Sequence, residues 1–317
     1  MAVLAAFVLF GLAMTQQSSK PLTRAWLRAA LRLAGLFGFF FLVLSLVDLT
    51  LVWTHLQSVS GETIASMIAL HFLIVSLLSW RFAIISRSSG AQINMVEACR
   101  LTFASTLANM LLPTSLAGDA GRVWLVHRYG LTFKAAIGVG VFDRVIGLAS
   151  LGVIVFVGAT AEPSIVPISV VVVICLLCFI VAGVVVFQWN PMQISKDSPR
   201  IYPTQRLRTI STSVVLSLAS HLFSIAIAYL FLKDQGISFS SAQLLVLFPA
   251  VLFAASVPIS IGGWGTRELA ATAAFSTIGL PAPIAVAMAA LFGLTQVVAS
   301  AFGTALLVVL NRSSLAR

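Results

Sequence analysis

Charge is what this chain has least of. Only 9% of its 317 residues are Asp, Glu, Lys or Arg, and 60% are hydrophobic. An ordinary soluble domain carries about 25% charged residues. With a mean hydropathy of +1.07, the apolar surplus cannot be hidden in one water-soluble core, so the bilayer must be the solvent. The longest polar stretch, Gln188 to Arg208, has the size of a loop and excludes a separate soluble catalytic domain within these residues.

Acid is scarcer than base: nine Asp and Glu stand against 19 Lys and Arg, a net charge of +10. In a soluble protein that balance would point to nucleic acid. In a membrane chain the positive-inside rule accounts for it, and anionic lipid headgroups are the expected electrostatic partners. Nucleic acid is not among the expected partners.

Cysteine and histidine are also sparse. The three cysteines, Cys99, Cys175 and Cys178, are odd in number and lie in apolar runs, which excludes a disulfide framework. The C-x-x-C of Cys175 and Cys178 has no His or acidic neighbour and reads as packing rather than metal or redox chemistry. Of the four histidines, His71 and His221 stand alone in apolar runs and read as hydrogen-bonded packing residues. His55 falls in an outer loop, and His127 follows a basic stretch. No H-E-x-x-H, nucleophile elbow or Walker lysine occurs. The chain is therefore not expected to be an enzyme or an ATP-driven pump, and no metal or cofactor is expected.

What is present is apolar length. Six runs are long enough to cross a bilayer, which takes about 20 residues: 33–53, 63–84, 135–159, 165–187, 210–232 and 283–310. Residues 2–14 are shorter, and the segment 1–32 reads as apolar and basic, with its apolar part lying at or partly in the interface. Two further runs, 95–112 and 242–257, stop at Pro113 and Pro258. Proline removes a backbone donor and breaks a helix, and broken backbone at membrane depth survives only where protein or a wet cavity covers it. We therefore read 95–130 and 242–279 as re-entrant helical hairpins.

The two breaks resemble each other. Pro113-Thr-Ser115-Leu116-Ala-Gly118-Asp119-Ala-Gly121-Arg122 is echoed by Pro258-Ile-Ser260-Ile261-Gly262-Gly263-Trp-Gly265-Thr-Arg267. Pro, Ser, an aliphatic residue, a small residue, Gly and Arg recur in one register. Charge adds a direction. Lys20, Arg24, Arg28 and Arg32 precede the first span. Arg81 and Arg87 end the second. Arg100, Arg122, Arg128 and Lys134 decorate the first hairpin. Lys196, Arg200, Arg206 and Arg208 lie between the halves, and Arg312 and Arg317 close the chain. The loops 54–63 and 160–167 carry no base, and the stretch 233–281 carries only Lys233 and Arg267. This bias puts both termini in the cytoplasm. It also makes the halves 63–159 and 210–310 inverted copies, the arrangement of many secondary transporters. The expected fold is thus an all-α integral membrane protein of about six transmembrane helices and two re-entrant hairpins in an inverted repeat. It forms a single domain over 33–312, with 313–317 as a cytoplasmic tail.

Ionisable groups at membrane depth are functional candidates by default. Glu97 with Arg100 and Asp119 with Arg122 are spaced to share a helix face. Asp143 and Arg144 are adjacent, point about 100° apart and should find different partners. Arg267 adjoins Glu268. A guanidinium presents a planar donor fork suited to phosphate, and glycine lets backbone N–H groups approach an anion. Candidate substrate-binding residues are Ser115, Gly118, Asp119, Arg122, Asp143, Arg144, Ser260, Gly262, Gly263, Arg267 and Glu268. The alternative is that the glycines are hairpin turns and the arginines are counter-ions for Asp119, Asp143 and Glu268.

The strings LLPTSLAGDAGRVWLV, VFDRVIGL and VPISIGGWGTREL resemble the lysylphosphatidylglycerol synthase transmembrane-region family, also called flippase-like domain proteins. The resemblance rests on Pro113, Ser115, Gly118, Asp119 and Arg122, then Asp143, Arg144, Gly147 and Leu148, then Ser260, Gly262, Gly263, Gly265, Arg267 and Glu268. It covers about residues 30–310. Ala117 stands where the first signature has glycine, and Trp80-Arg81 inverts the order often met at the end of the second span. The resemblance implies translocation of an aminoacylated phospholipid or an isoprenoid-linked or hopanoid-type lipid in a bacterial inner membrane. Full-length lysyl-lipid synthases add a soluble aminoacyl-transfer domain. None lies within these residues, so lipid flipping rather than synthesis is expected. The competing expectation is a non-transporting scaffold for a glycosyltransferase or lipid-modifying enzyme. A lipid-biosynthetic partner and a homo-oligomer are left open.

Overall fold

A computed structural model of the chain describes residues 48–112, 117–165, 203–256, 260 and 262–315. The segment 1–32, most of the span 33–53, the span 165–187 with its C-x-x-C, and Ser115 lie outside the described residues. Nine helices and no strand occur among those described. They are α1 (Leu49–Gln57), α2 (Gly61–Ser88), α3 (Met95–Leu111), α4 (Ala117–Arg128), α5 (Phe133–Ala161), α6 (Pro203–Asp234), α7 (Ser241–Ser256), α8 (Thr266–Ser276) and α9 (Ala282–Leu315).

Four of these are long and apolar enough to cross a membrane: Gly61–Ser88, Phe133–Ala161, Gln205–Asp234 and Ala282–Leu310. They contain the expected spans 63–84, 135–159, 210–232 and 283–310, each extended by a few residues. The protein is an all-α, multi-pass membrane protein. The extra turns come from caps that sit outside the apolar runs. Ser60 accepts a hydrogen bond from the Thr63 N–H, Asn94 from Glu97, and Thr132 from Ala135, each satisfying a donor that the helix start would orphan.

One expectation needs correction. Asp48 has extended backbone and its side chain accepts from Thr50 and Leu51, so it starts α1. The run 33–53 is therefore not one unbroken helix: a short acidic side chain competes for backbone donors and makes a cap in place of a turn of helix. The Glu97 carboxylate is taken up at the start of its own helix. It completes a capping box with Asn94, accepting from the Asn94 N–H at 2.9 Å. At a helix start the orphan backbone donors claim the carboxylate first.

The short runs end where proline demands. Helix α3 stops at Leu111, before Pro113, and α7 stops at Ser256, before Pro258. At 17 and 16 residues they reach roughly 25 Å, short of the ~30 Å hydrocarbon layer. Helix α4 packs back on α3, and α8 packs back on α7, so each break turns the chain into a helical hairpin. The tips of the two hairpins touch. Gly262, at φ +56°, lies against Met110 and Asn109 so closely that a Cβ there would stand 2.7 Å from the Met110 Cα.

The most extensive helix interface joins α2 to α6. Its close approach is written in small residues. Ser213, Ser217, Ser220 and Ser224 on α6 and Ser79 and Ser86 on α2 are all buried. Several of their hydroxyls donate back to a carbonyl of the same helix, as Ser217 does to Ser213 at 2.7 Å and Ser79 to Val75 at 2.7 Å. Small residues let helix backbones approach closely. The pair is tied at two levels. At one end Asp234 accepts from the Ser60 hydroxyl (2.6 Å), the Ser60 N–H (3.1 Å) and the Thr63 hydroxyl (2.8 Å). Near the middle of α6, Arg81 donates to the Ser217 hydroxyl at 2.7 Å.

The apolar interior falls into two main clusters. One includes Ile74, Phe231, Phe248, Met288 and Phe292. The other includes Phe82, Leu101, Val139, Phe142 and Ile146. Along α2 the change from one to the other happens between Ile74 and Phe82, and Arg81 sits at that junction.

Candidate functional site

Five charged side chains converge there in alternating sign. The Arg81 Nε donates to Asp143 Oδ1 at 2.8 Å, and Arg122 Nη2 approaches Asp143 Oδ2 at 3.4 Å. Arg122 Nη2 also donates to Asp119 Oδ1 at 3.1 Å, and Arg144 pairs with Asp119 through Oδ2. The chain of contacts runs Arg81–Asp143–Arg122–Asp119–Arg144, three guanidiniums against two carboxylates. The Arg122 guanidinium lies over the Phe82 ring, 4.7 Å from its centroid.

Helix geometry explains why these groups meet. Asp143 and Arg144 diverge around α5, as adjacent helical residues must, so Asp143 faces α2 and Arg144 faces the first hairpin. Asp119 and Arg122, in the first turns of α4, lie on one face and bridge the two. Gly118 makes this position accessible. Its N–H donates to the Asn109 side chain at 2.7 Å, and a Cβ there would collide with the Ser105 carbonyl. The cluster lies deep within the helices: Arg81 is roughly 10 Å from the end of α2 and Asp143 roughly 15 Å from the start of α5, at 1.5 Å per residue.

The cluster forms one wall of a cavity of about 210 Å³. Arg81, Asp119, Arg122, Asp143 and Arg144 supply its charge. Asn109, Thr102, Ser105, Thr106 and Gln296 supply neutral polar groups. Ala255, Ser256 and Gly262 bring in the second hairpin. Binding sites for drug-sized molecules run to about 300–1,000 Å³. This one has the dimensions of a headgroup rather than of a whole lipid, and its chemistry suits an oxyanion.

The candidate residues separate into two groups. Asp119, Arg122, Asp143, Arg144 and Gly262 line the cavity, and Gly118 holds the turn beside it. Ser260, Gly263, Arg267 and Glu268 do not line it. Arg267 is fully buried, donates to Glu268 Oε1 from Nη2 at 2.9 Å, and lies over the Trp264 ring at 4.7 Å. Its guanidinium packs against Gly293, where a Cβ would overlap it. Glu268 Oε2 meanwhile accepts from the Gly265 N–H at 2.5 Å, and Ser260 bonds Thr266 at 2.8 Å. Gly263 and Gly265, at φ +81° and +83°, take the left-handed backbone that the break requires. The second break is thus a self-contained folded knot around an ion pair. Arg122 and Arg267 match in sequence but do not share a cavity.

Sequence reasoning missed Arg81, Asn109 and Gln296. In the sequence Arg81 reads as an inner-face positive charge and as part of the Trp80-Arg81 pair, not as a site residue. Its signal was available: helix α2 runs on to Ser88, which leaves an arginine inside an apolar span, and such a residue needs a partner. Asn109 and Gln296 are amides in apolar helices, a weaker form of the same signal. His221, by contrast, is where a packing histidine should be, with Nε2 3.0 Å from the Gly147 carbonyl.

No curated protein matches the chain. The model of one family does, over residues 27–303, which spans all three motif strings and every residue of the cluster. By that match the chain belongs to the lysylphosphatidylglycerol synthase TM region family.

Proposed function

We propose that this protein is a lipid flippase that moves a lipid with an anionic, phosphate-containing headgroup between the leaflets of a bacterial inner membrane. Membership of the family gives it a membrane-lipid-related role; the flippase reading goes further and rests on the site. The observation that carries it is the cavity itself, which holds three arginines against two aspartates, is walled by both hairpins and lies deep between long apolar helices. Charge at that depth is costly and is retained where something charged must pass. A headgroup phosphate would be held by Arg122 and Arg144, while Arg81 and Asp143 fix the frame behind them. The acyl or isoprenoid chains stay in the bilayer.

In this reading the two hairpins belong to inverted halves, and rocking of one half against the other opens the cavity to each leaflet in turn. No covalent chemistry is asked of the site, and the protein acts as a transporter rather than an enzyme. The test is headgroup translocation of labelled phosphatidylglycerol in reconstituted vesicles. Arg144→Ala, whose side chain is the most exposed of the cluster, is expected to cut the rate about tenfold or more, as loss of a charge partner does, with thermal stability retained. Wild-type rates in both Arg144→Ala and Arg122→Ala would refute the site and favour the scaffold reading.

A further inference from the structure

The two aspartates of the cluster are not equivalent, and the difference points to how the site is occupied. We infer that Asp119 is an internal stand-in for the substrate's anion: its carboxylate holds the seat on Arg122 and Arg144 that a phosphate-type oxyanion takes, and the headgroup enters by displacing it. This rests on the reading of the cavity as a headgroup site.

The Arg81–Asp143 pair is fixed. Its side chains are 7% and 3% exposed, and Arg81 is held a second time by Ser217. Separating those charges would take each buried group from its nearest counter-ion, which is costly. The Arg144–Asp119 pair is open, at 43% and 18% exposure. Its partners line the cavity, where a ligand can reach them.

Asp119 also has the geometry of a substitute. One oxygen faces Arg122 and the other faces Arg144, the bridging arrangement in which guanidiniums bind phosphate. A carboxylate has only those two oxygens, and both are used. The Arg122 Nε remains buried with no hydrogen-bond partner among the described residues, on a residue that is itself 8% exposed. A phosphate group carries more acceptor oxygens than a carboxylate and can serve that donor as well. Counting the cluster, one positive charge is left over, which is what an entering monoanion neutralises.

Displacement does not strand Asp119. It lies in the first turn of α4, where the helix dipole favours a negative charge. The second break has no such residue: Trp264 stands in the register of Asp119, and Arg267 is locked to Glu268. Among the described residues, the exchangeable anion belongs to the first break alone.

The test is binding to the purified full-length chain in detergent, with short-chain phosphatidylglycerol and inorganic phosphate as separate probes. An internal competitor lowers apparent affinity by the fraction of time it holds the seat, so Asp119→Asn is expected to bind about tenfold more tightly than wild type. Asp119→Ser serves if the Asn variant does not fold. Tightening for phosphatidylglycerol identifies the lipid headgroup as the displacing anion. Tightening for inorganic phosphate alone keeps Asp119 as the competitor but removes the lipid reading. Unchanged or weaker binding in both Asp119→Asn and Asp119→Ser, with binding abolished in Arg144→Ala, overturns this inference and leaves the headgroup site standing. No binding of either probe by wild type overturns both.

Discussion

Gly262 of the second break rests directly on the backbone of Met110 at the tip of the first hairpin. This contact joins the two broken segments and closes one side of the charged cavity. Nothing larger than hydrogen fits, and the backbone at Gly262 is left-handed, a conformation that side-chain-bearing residues adopt only under strain.

Gly262→Ala is therefore expected to cost about 1–3 kcal/mol, read as a lower midpoint of thermal unfolding in detergent. An unchanged midpoint would mean that the hairpin tips do not meet in this way.

Asp143 carries the buried side of the cluster, since it faces both Arg81 and Arg122. Asp143→Asn keeps the shape and removes the charge, leaving the buried Arg81 without a carboxylate and Arg122 with Asp119 alone. Breaking one side of a buried pair costs about 3–5 kcal/mol. The expected readout is a large loss of folded, monodisperse protein. A variant as stable as wild type would show that water already reaches Arg81.

Arg267 should behave differently from Arg144. Its removal leaves Glu268 buried without its counter-ion, held only by the Gly265 N–H, so Arg267→Ala is expected to fail in folding rather than in transport. The double variant Arg267→Ala/Glu268→Gln should recover much of the loss, because it removes the stranded charge together with its partner. An Arg267→Ala protein that folds normally and has lost only translocation would return Arg267 to the transport path.

Those contrasts show where reading from sequence succeeds and where it stops. The breaks at Pro113 and Pro258 were legible because a missing donor and a run of glycines act locally, whatever surrounds them. The long helices were legible because the bilayer sets their length. Asp119, Arg122, Asp143 and Arg144 stood out because charge is rare in this chain. The divergence of Arg122 and Arg267 was not legible. The repeated motif encodes the turn of the backbone, but the fate of each arginine depends on the residue beside it, Asp119 in one copy and the Trp264 ring and Glu268 in the other. Arg81 was hidden by its nearness to the end of an apolar run, where arginine ordinarily marks the membrane surface. Its role appears only once Asp143 and Ser217 are seen across from it, and both are far away in sequence.

The double tether between α2 and α6, Asp234 to Ser60 and Thr63 at one end and Arg81 to Ser217 near the middle of α6, has a mechanical meaning. A pair of rods riveted at two levels resists sliding and scissoring. In the proposed function these helices would form a keel, with the broken arms swinging around it. Because Arg81 is both a rivet and part of the cavity wall, the proposed headgroup seat would be anchored to that keel.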